Sequence, residues 1–181
     1  MLNSSLHWFG KIPTQAEFIS SNTAPTLQAK FDAWIASGQN HIGNQLVGSS
    51  VEYSLYAYVF CVRNLEQNHL TTGILLTSRD SKHRRYPFII FGEHNAFTVE
   101  TFIQQVQQCF EQLNINLATD YSGVDESLFF NNLSQALTRL YSYPNKLMDE
   151  WIEFYPMPMQ LKLSIDALTP IVYRKLMLRG Y

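Results

Sequence analysis

Charge is scarce in this sequence. Asp, Glu, Lys and Arg make up 15% of its 181 residues, against about a quarter in an ordinary globular chain. So few charges leave room for a face that a partner covers. The formal net charge of −2 argues against a general binder of nucleic acid or of acidic membranes. Cysteine is nearly missing too. Cys61 and Cys109 lie in apolar periodic segments and form no CxxC pair, so they read as buried thiols of a reducing compartment. No apolar run approaches the ~18 residues of a transmembrane helix. The stretch from Met1 to Gly10 lacks the basic and apolar regions of a signal peptide. A cytoplasmic protein is expected.

The spacings of familiar chemistry are absent as well. His7, His41, His69, His83 and His94 form no His-x-x-x-His, His-Glu-x-x-His or Cys–His pairing. There is no glycine-rich phosphate loop and no G-x-S-x-G elbow. The carboxylate pairs Asp125-Glu126 and Asp149-Glu150 are adjacent in sequence, which suits helix ends better than acid–base work. No metal and no cofactor is expected.

What is present is an aromatic-rich core. Hydrophobic residues reach 46% and aromatics 14%, enough for one domain over 1–181. An apolar strand over 6–13 leads through Gly10 to a stop at Pro13, and 14–21 reads as a short helical or irregular connection. Leu27, Phe31, Trp34 and Ile35 share one face of a helix over 25–37, with Gly38 as its natural stop. Residues 38–50 read as a loop or short helix. Three strands follow over 53–62, 70–77 and 86–91, the first apolar on both faces as a central strand would be.

Thr98 caps an amphipathic helix over 99–113, whose outer face carries Gln104, Gln105, Gln107, Gln108 and Gln112. Asp125 caps another over 126–140. A third is expected over 146–154, broken by Pro156 and Pro158. Leu161, Leu163 and Ile165 alternate like a strand, and Thr169-Pro170 opens a final helix to Leu178. Segregated strands and helices imply an α+β fold, an antiparallel sheet packed by helices. A sheet-plus-helix part over 1–113 and a helical part over 114–181 are expected.

The most informative stretch runs from Gly73 to Phe88. Two apolar runs bracket Ser78, Arg79, Asp80, Ser81, Lys82, His83, Arg84 and Arg85, which reads as a hairpin with a charged, solvated tip. Ser78, Asp80 and His83 carry the groups of a small hydrolase or transferase. Residues so close on one turn can hardly converge as nucleophile, base and orienter. Arg79, Lys82, Arg84 and Arg85 beside Tyr86 could bind phosphates, yet they are one small cluster in a net acidic chain. Asp80 can pair with Arg84 or accept from the turn backbone. Either would order the tip, and ordered charge suits the docking of a partner.

Two segments carry a resemblance. One is Trp8-Phe-Gly-Lys-Ile-Pro-Thr14 with Phe18, followed by Phe31-Asp32-Ala-Trp34-Ile35. The other is the stretch from Gly73 through Ser78, Asp80, Arg84, Tyr86 and Pro87 to Phe88. Together they resemble the TagF (ImpM) family of type VI secretion-associated proteins. That family shows G-K-(L/I)-P-(S/T) running into G-D-F, then D-x-W-(L/I), then G-(V/I)-L-x-x-S-x-D-x-x-G-R-x-(F/Y)-P-(L/F). Two departures stand out. Ala16-Glu17 replaces Gly-Asp before Phe18, and His83 replaces Gly before Arg84, which implies a non-glycine conformation at the tip. From about residue 114 no motif matches.

The resemblance implies a longin-like α+β fold with additional C-terminal helices. It implies a cytoplasmic, non-enzymatic, post-translational repressor of type VI secretion. Repression would act through binding the forkhead-associated (Fha) scaffold protein, in parallel with a kinase–phosphatase switch. Lys11, Asp32, Ser78, Asp80, Arg84, Arg85 and Tyr86 are the candidate functional or partner-binding residues, while Trp8, Trp34, Pro13 and Pro87 read as structural. Whether Ser78 and Asp80 dock the partner or only order their own turn stays open at this point.

Overall fold

The structure, a computed structural model, describes residues 6–21, 23–42, 57–64, 69–121, 123–142, 152–157, 163–165, 173–174 and 177. Its elements in chain order are β1 (His7–Gly10), β2 (Ile19–Ser20), α1 (Pro25–Ile42), β3 (Ala57–Asn64), β4 (His69–Leu76) and β5 (Phe88–Glu93). Then come α2 (Val99–Gln112), α3 (Leu117–Asp120), α4 (Glu126–Ser142), β6 (Ile152–Met157) and β7 (Leu163–Ile165). The strands form one antiparallel sheet in the order β2-β1-β5-β4-β3-β6-β7.

Both faces of that sheet are covered. Ala57, Val59 and Cys61 of β3, Ile74 and Leu76 of β4, and Phe88 and Ile90 of β5 point into a core shared with α2, α3 and α4. Their alternates Tyr58, Phe60, Val62, Leu75, Ile89 and Phe91 point into a second core shared with α1 and Tyr173. A stretch buried on both faces loses the apolar–polar alternation of a half-exposed strand, which is why β3 is apolar from Ala57 to Val62. The expected α+β class is therefore observed, with helices on both faces.

The helix signals of the middle segment hold. Thr98 caps α2 in a reciprocal capping box with Thr101, and Phe102, Val106, Cys109 and Phe110 form its buried stripe. The Asp125 carboxylate accepts from the Leu128 N–H at 2.7 Å at the start of α4. Cys61 and Cys109 are buried free thiols, and burial pushes the Cys109 thiol up to about 12.

Several expectations are corrected. The 14–21 connection contains a strand, β2, because Phe9 and Gly10 pair with Ser20 and Ile19. α1 does not stop at Gly38 but continues to Ile42. The glycine is there for space, since a Cβ on it would lie 2.2 Å from Cγ of Tyr173. β5 starts at Phe88 rather than residue 86, consistent with Pro87 having no N–H for the ladder.

The helix expected over 146–154 is not found in its described part. Ile152 onward is strand β6, laid along β3 with Pro156 opposite Tyr58. Pairing the edge of β3 outweighs a local helical spacing, because an unpaired edge leaves a row of backbone donors and acceptors open. The segment 114–181 is thus not purely helical: it supplies α3 and α4 but also β6 and β7 to the sheet. Residues 43–56 and 143–151 lie outside the described residues. Of the final helix, Tyr173, Arg174 and Met177 are described, and they are helical.

Candidate functional site

The β4–β5 hairpin keeps its ladder beyond the two strands. Arg79 and Arg85 form an isolated antiparallel bridge. The Tyr86 N–H donates to the Ser78 carbonyl at 3.1 Å, and the Asp80 N–H to the Arg84 carbonyl at 3.1 Å. The His83 N–H closes the turn on the Asp80 carbonyl at 2.9 Å. The tip is therefore an ordered extension of the sheet.

It is also not simply solvated, as its composition implied. The Asp80 side chain is 0% exposed. Its Oδ1 accepts from the N–H groups of Lys82 and Arg84, each at 2.9 Å. Its Oδ2 accepts from Nζ of Lys11 at 2.8 Å and Nε of Arg84 at 2.7 Å. Burial alone would push the carboxyl up. The hydrogen bonds from Lys11, Arg84 and Lys82 outweigh it, and together they hold Asp80 well below the usual carboxylate range. Asp80 is a buried, fully ionised anchor.

Lys11 reaches it because β1 runs close against the hairpin. Gly10, at φ 130°, passes so near that a Cβ would lie 2.1 Å from the Pro87 carbonyl oxygen. No L side chain fits there. The chain after Pro13 then folds over the tip. The Ser81 N–H donates to the Gln15 carbonyl at 2.8 Å, and Nη2 of Arg84 donates to the Ala16 carbonyl. Arg84 thus bridges Asp80 and the 14–18 loop.

Tyr86 belongs to an adjoining network. Its hydroxyl donates to Oδ1 of Asp32 on α1, and the Phe18 ring meets it edge-on at 5.3 Å. Burial, then the Asp32 hydrogen bond and charge, drive the phenol far above its ordinary value, so it stays a donor. Gln39 of α1 adds a bond from Nε2 to the Arg85 carbonyl at 3.1 Å. Ser78 faces the other layer: it is buried, and its Oγ lies 3.0 Å from the Tyr121 hydroxyl.

A profile of the TagF N-terminal domain, type VI secretion system-associated, matches residues 7–140. That span holds every residue of these networks. The chain belongs to the TagF family. A crystal structure of PA0076 from Pseudomonas aeruginosa is similar to it over 98% of this chain and 96% of that one, at 15% identity and a TM-score of 0.60, so the fold is shared over nearly the whole length. A search of curated proteins finds no match.

The two departures from the TagF pattern now have structural meaning. His83 has φ 62°, so the tip keeps the left-handed conformation that suits glycine, contrary to the non-glycine one expected. An ordinary side chain pays about 1–2 kcal/mol there. Ala16 takes part through its carbonyl, which any residue supplies. Glu17 is 78% exposed, with Oε1 3.5 Å from Nζ of Lys82 and 3.8 Å from Nη2 of Arg84.

Of the seven expected site residues of this TagF chain, Lys11, Asp80 and Arg84 form one network and Asp32 and Tyr86 the next. Ser78 lies beyond them against Tyr121, and Arg85 takes part through its carbonyl. Ser78, Asp80 and His83 do not converge as a triad. Among the described residues no hydrogen bond links any two of their side chains, and a carboxylate so strongly held is a poor base. Among the described residues no three His, Cys, Asp or Glu side chains group as metal ligands, and no helix is long and apolar enough to cross a membrane.

Sequence reading missed Gln39 and Tyr121 as parts of this region, and it placed Glu17 and Phe18 in the motif without counting them among the site residues. Gln39 was within reach, since it lies two helical turns from Asp32 on the same face of α1. Tyr121 gave no signal, because its contact with Ser78 depends on how α3 packs.

Proposed function

We propose that this chain is a post-translational repressor of type VI secretion that binds the cytoplasmic forkhead-associated scaffold protein and performs no catalysis. The supporting observation is how the TagF-pattern residues are used. Lys11, Asp80 and Arg84 lock three chain segments together around one buried charge, and Tyr86 with Asp32 ties them to α1. Such an arrangement presents a fixed surface. Its charged groups are used to hold loops together, and the Tyr86 phenol is kept protonated as a donor to Asp32. Family membership supplies the secretion system, and the rigid loop assembly favours recognition over turnover.

The test is genetic and biochemical. Deleting the gene should raise secretion, overproducing the chain should silence it, and the tagged chain should recover the scaffold from a lysate. Secretion that ignores both deletion and overproduction would sink the reading.

A further inference from the structure

The outer rim of this loop assembly has its own composition. Phe18 is a large apolar side chain left 39% exposed. It does not swing freely: its ring rests edge-on against Tyr86, which Asp32 holds in turn. Glu17, which precedes Phe18 in the chain, faces Lys82, with 60% of its side chain exposed, and Arg84, with 50%. An exposed aromatic and an arginine on a pre-ordered base are residue types enriched at protein interfaces.

The charges of the rim are unevenly matched. Asp80 is already shared between Lys11 and Arg84. Among the described residues the carboxylate facing Nζ of Lys82 and Nη2 of Arg84 is that of Glu17, at 3.5 and 3.8 Å, and Nη2 also donates to the Ala16 carbonyl. Contacts this long between exposed groups contribute little. Glu17 therefore occupies the place of an anion without holding it firmly.

We propose that Phe18, Lys82 and the outer edge of Arg84 form the docking patch of this chain. The occupant is a protein segment that sets a carboxylate beside an apolar side chain. The carboxylate displaces Glu17 from the two cations, and the apolar group covers Phe18. This assignment rests on the reading that the chain acts by binding a protein. It adds which surface does so and what chemistry the partner presents. Asp80 and Ser78 sit behind the patch and shape it without touching the partner.

Titration calorimetry of the full chain with the forkhead-associated scaffold tests this. Lys82→Glu and Phe18→Ala should each weaken binding about tenfold or more. Glu17→Gln should tighten it a few-fold, because it removes the competing carboxylate. Unchanged thermal melts exclude misfolding, since Lys82 touches Asp80 only through its backbone N–H. If the wild-type chain binds and both weakening variants bind equally well, the patch is wrong while the repressor reading stands.

If the wild-type chain does not bind the scaffold, that partner is wrong, and a second measurement decides the patch alone. A short Asp/Glu-rich peptide carrying one leucine is titrated into the isotope-labelled chain. Shifts centred on Glu17, Phe18 and Lys82 that vanish in Lys82→Glu support the patch. No shifts, or shifts elsewhere, overturn it.

Discussion

Lys11 and Asp80 stand 69 positions apart in sequence and 2.8 Å apart in space. One follows the strand β1, and the other sits in the tip of the β4–β5 hairpin. The carboxylate is out of water, so its charge is tolerable only because Lys11, Arg84 and two backbone N–H groups face it. Withdrawing one partner leaves a charge buried without compensation, which is worse than withdrawing both. The pair makes the two TagF motifs interdependent in folding.

Acid should reveal this dependence. The folded carboxyl of Asp80 titrates below its unfolded value of 3.8. As the pH falls, the unfolded chain takes up this proton first. The group's stabilisation is complete above about pH 5 and is lost as the pH drops through 3.8 toward the lower folded value. Urea midpoints at about pH 6 and about pH 3 measure the loss. Asp80→Asn should melt several degrees lower at neutral pH, and its midpoint should fall less on acidification. Equal acid sensitivity of the two chains would contradict the assignment.

The sequence made some of this architecture legible and hid the rest for physical reasons. α2 was readable because Phe102, Val106 and Phe110 share a helix face and Thr98 is a strong cap. The burial of both faces of β3 was readable from Tyr58 to Val62. The β6 strand was not. Leu147, Met148, Trp151 and Ile152 have helical spacing, and the pull toward a strand comes from the edge of β3, which no local pattern records. Asp80 stood out as a carboxylate among cations, but its burial depends on Lys11 and the 14–18 loop closing over it. Interactions made by distant segments were the ones that spacing could not show.

Gly38 is the sharpest case, and it yields a signed prediction. Within a helix, Gly→Ala ordinarily gains about 1 kcal/mol. Here the new methyl would meet the Tyr173 ring at 2.2 Å. That ring also packs edge-on against Trp34 at 5.4 Å. Overpacking of this kind costs about 1–3 kcal/mol, so Gly38→Ala should destabilise the chain. A Cβ on residue 38 would also lie 2.4 Å from the Tyr173 Cβ, so the clash is removed only in a Tyr173→Gly background, where the same change should stabilise. Denaturant unfolding of the four chains of the cycle measures the reversal. A substitution that stabilises in both backgrounds would remove the packing role from Gly38.

His83 tests the hairpin itself. Its φ of 62° places an ordinary side chain where glycine is favoured, at about 1–2 kcal/mol. Glycine gives back part of that through the greater freedom of its unfolded chain, about 0.4–1 kcal/mol. The net gain for His83→Gly is therefore about 0–1.6 kcal/mol, centred near 0.8, or a rise in Tm of up to about 6 °C for a chain of this size. His83→Val, β-branched and intolerant of this conformation, should lower the Tm. Scanning calorimetry distinguishes the two. The His83 side chain is exposed, so removing it takes little packing away, and a glycine variant that melts lower would mean the tip relies on the imidazole itself. A higher melt would mean that the turn keeps the glycine geometry of the TagF pattern against the preference of its own residue, because the Asp80 hydrogen bonds on either side fix the backbone there.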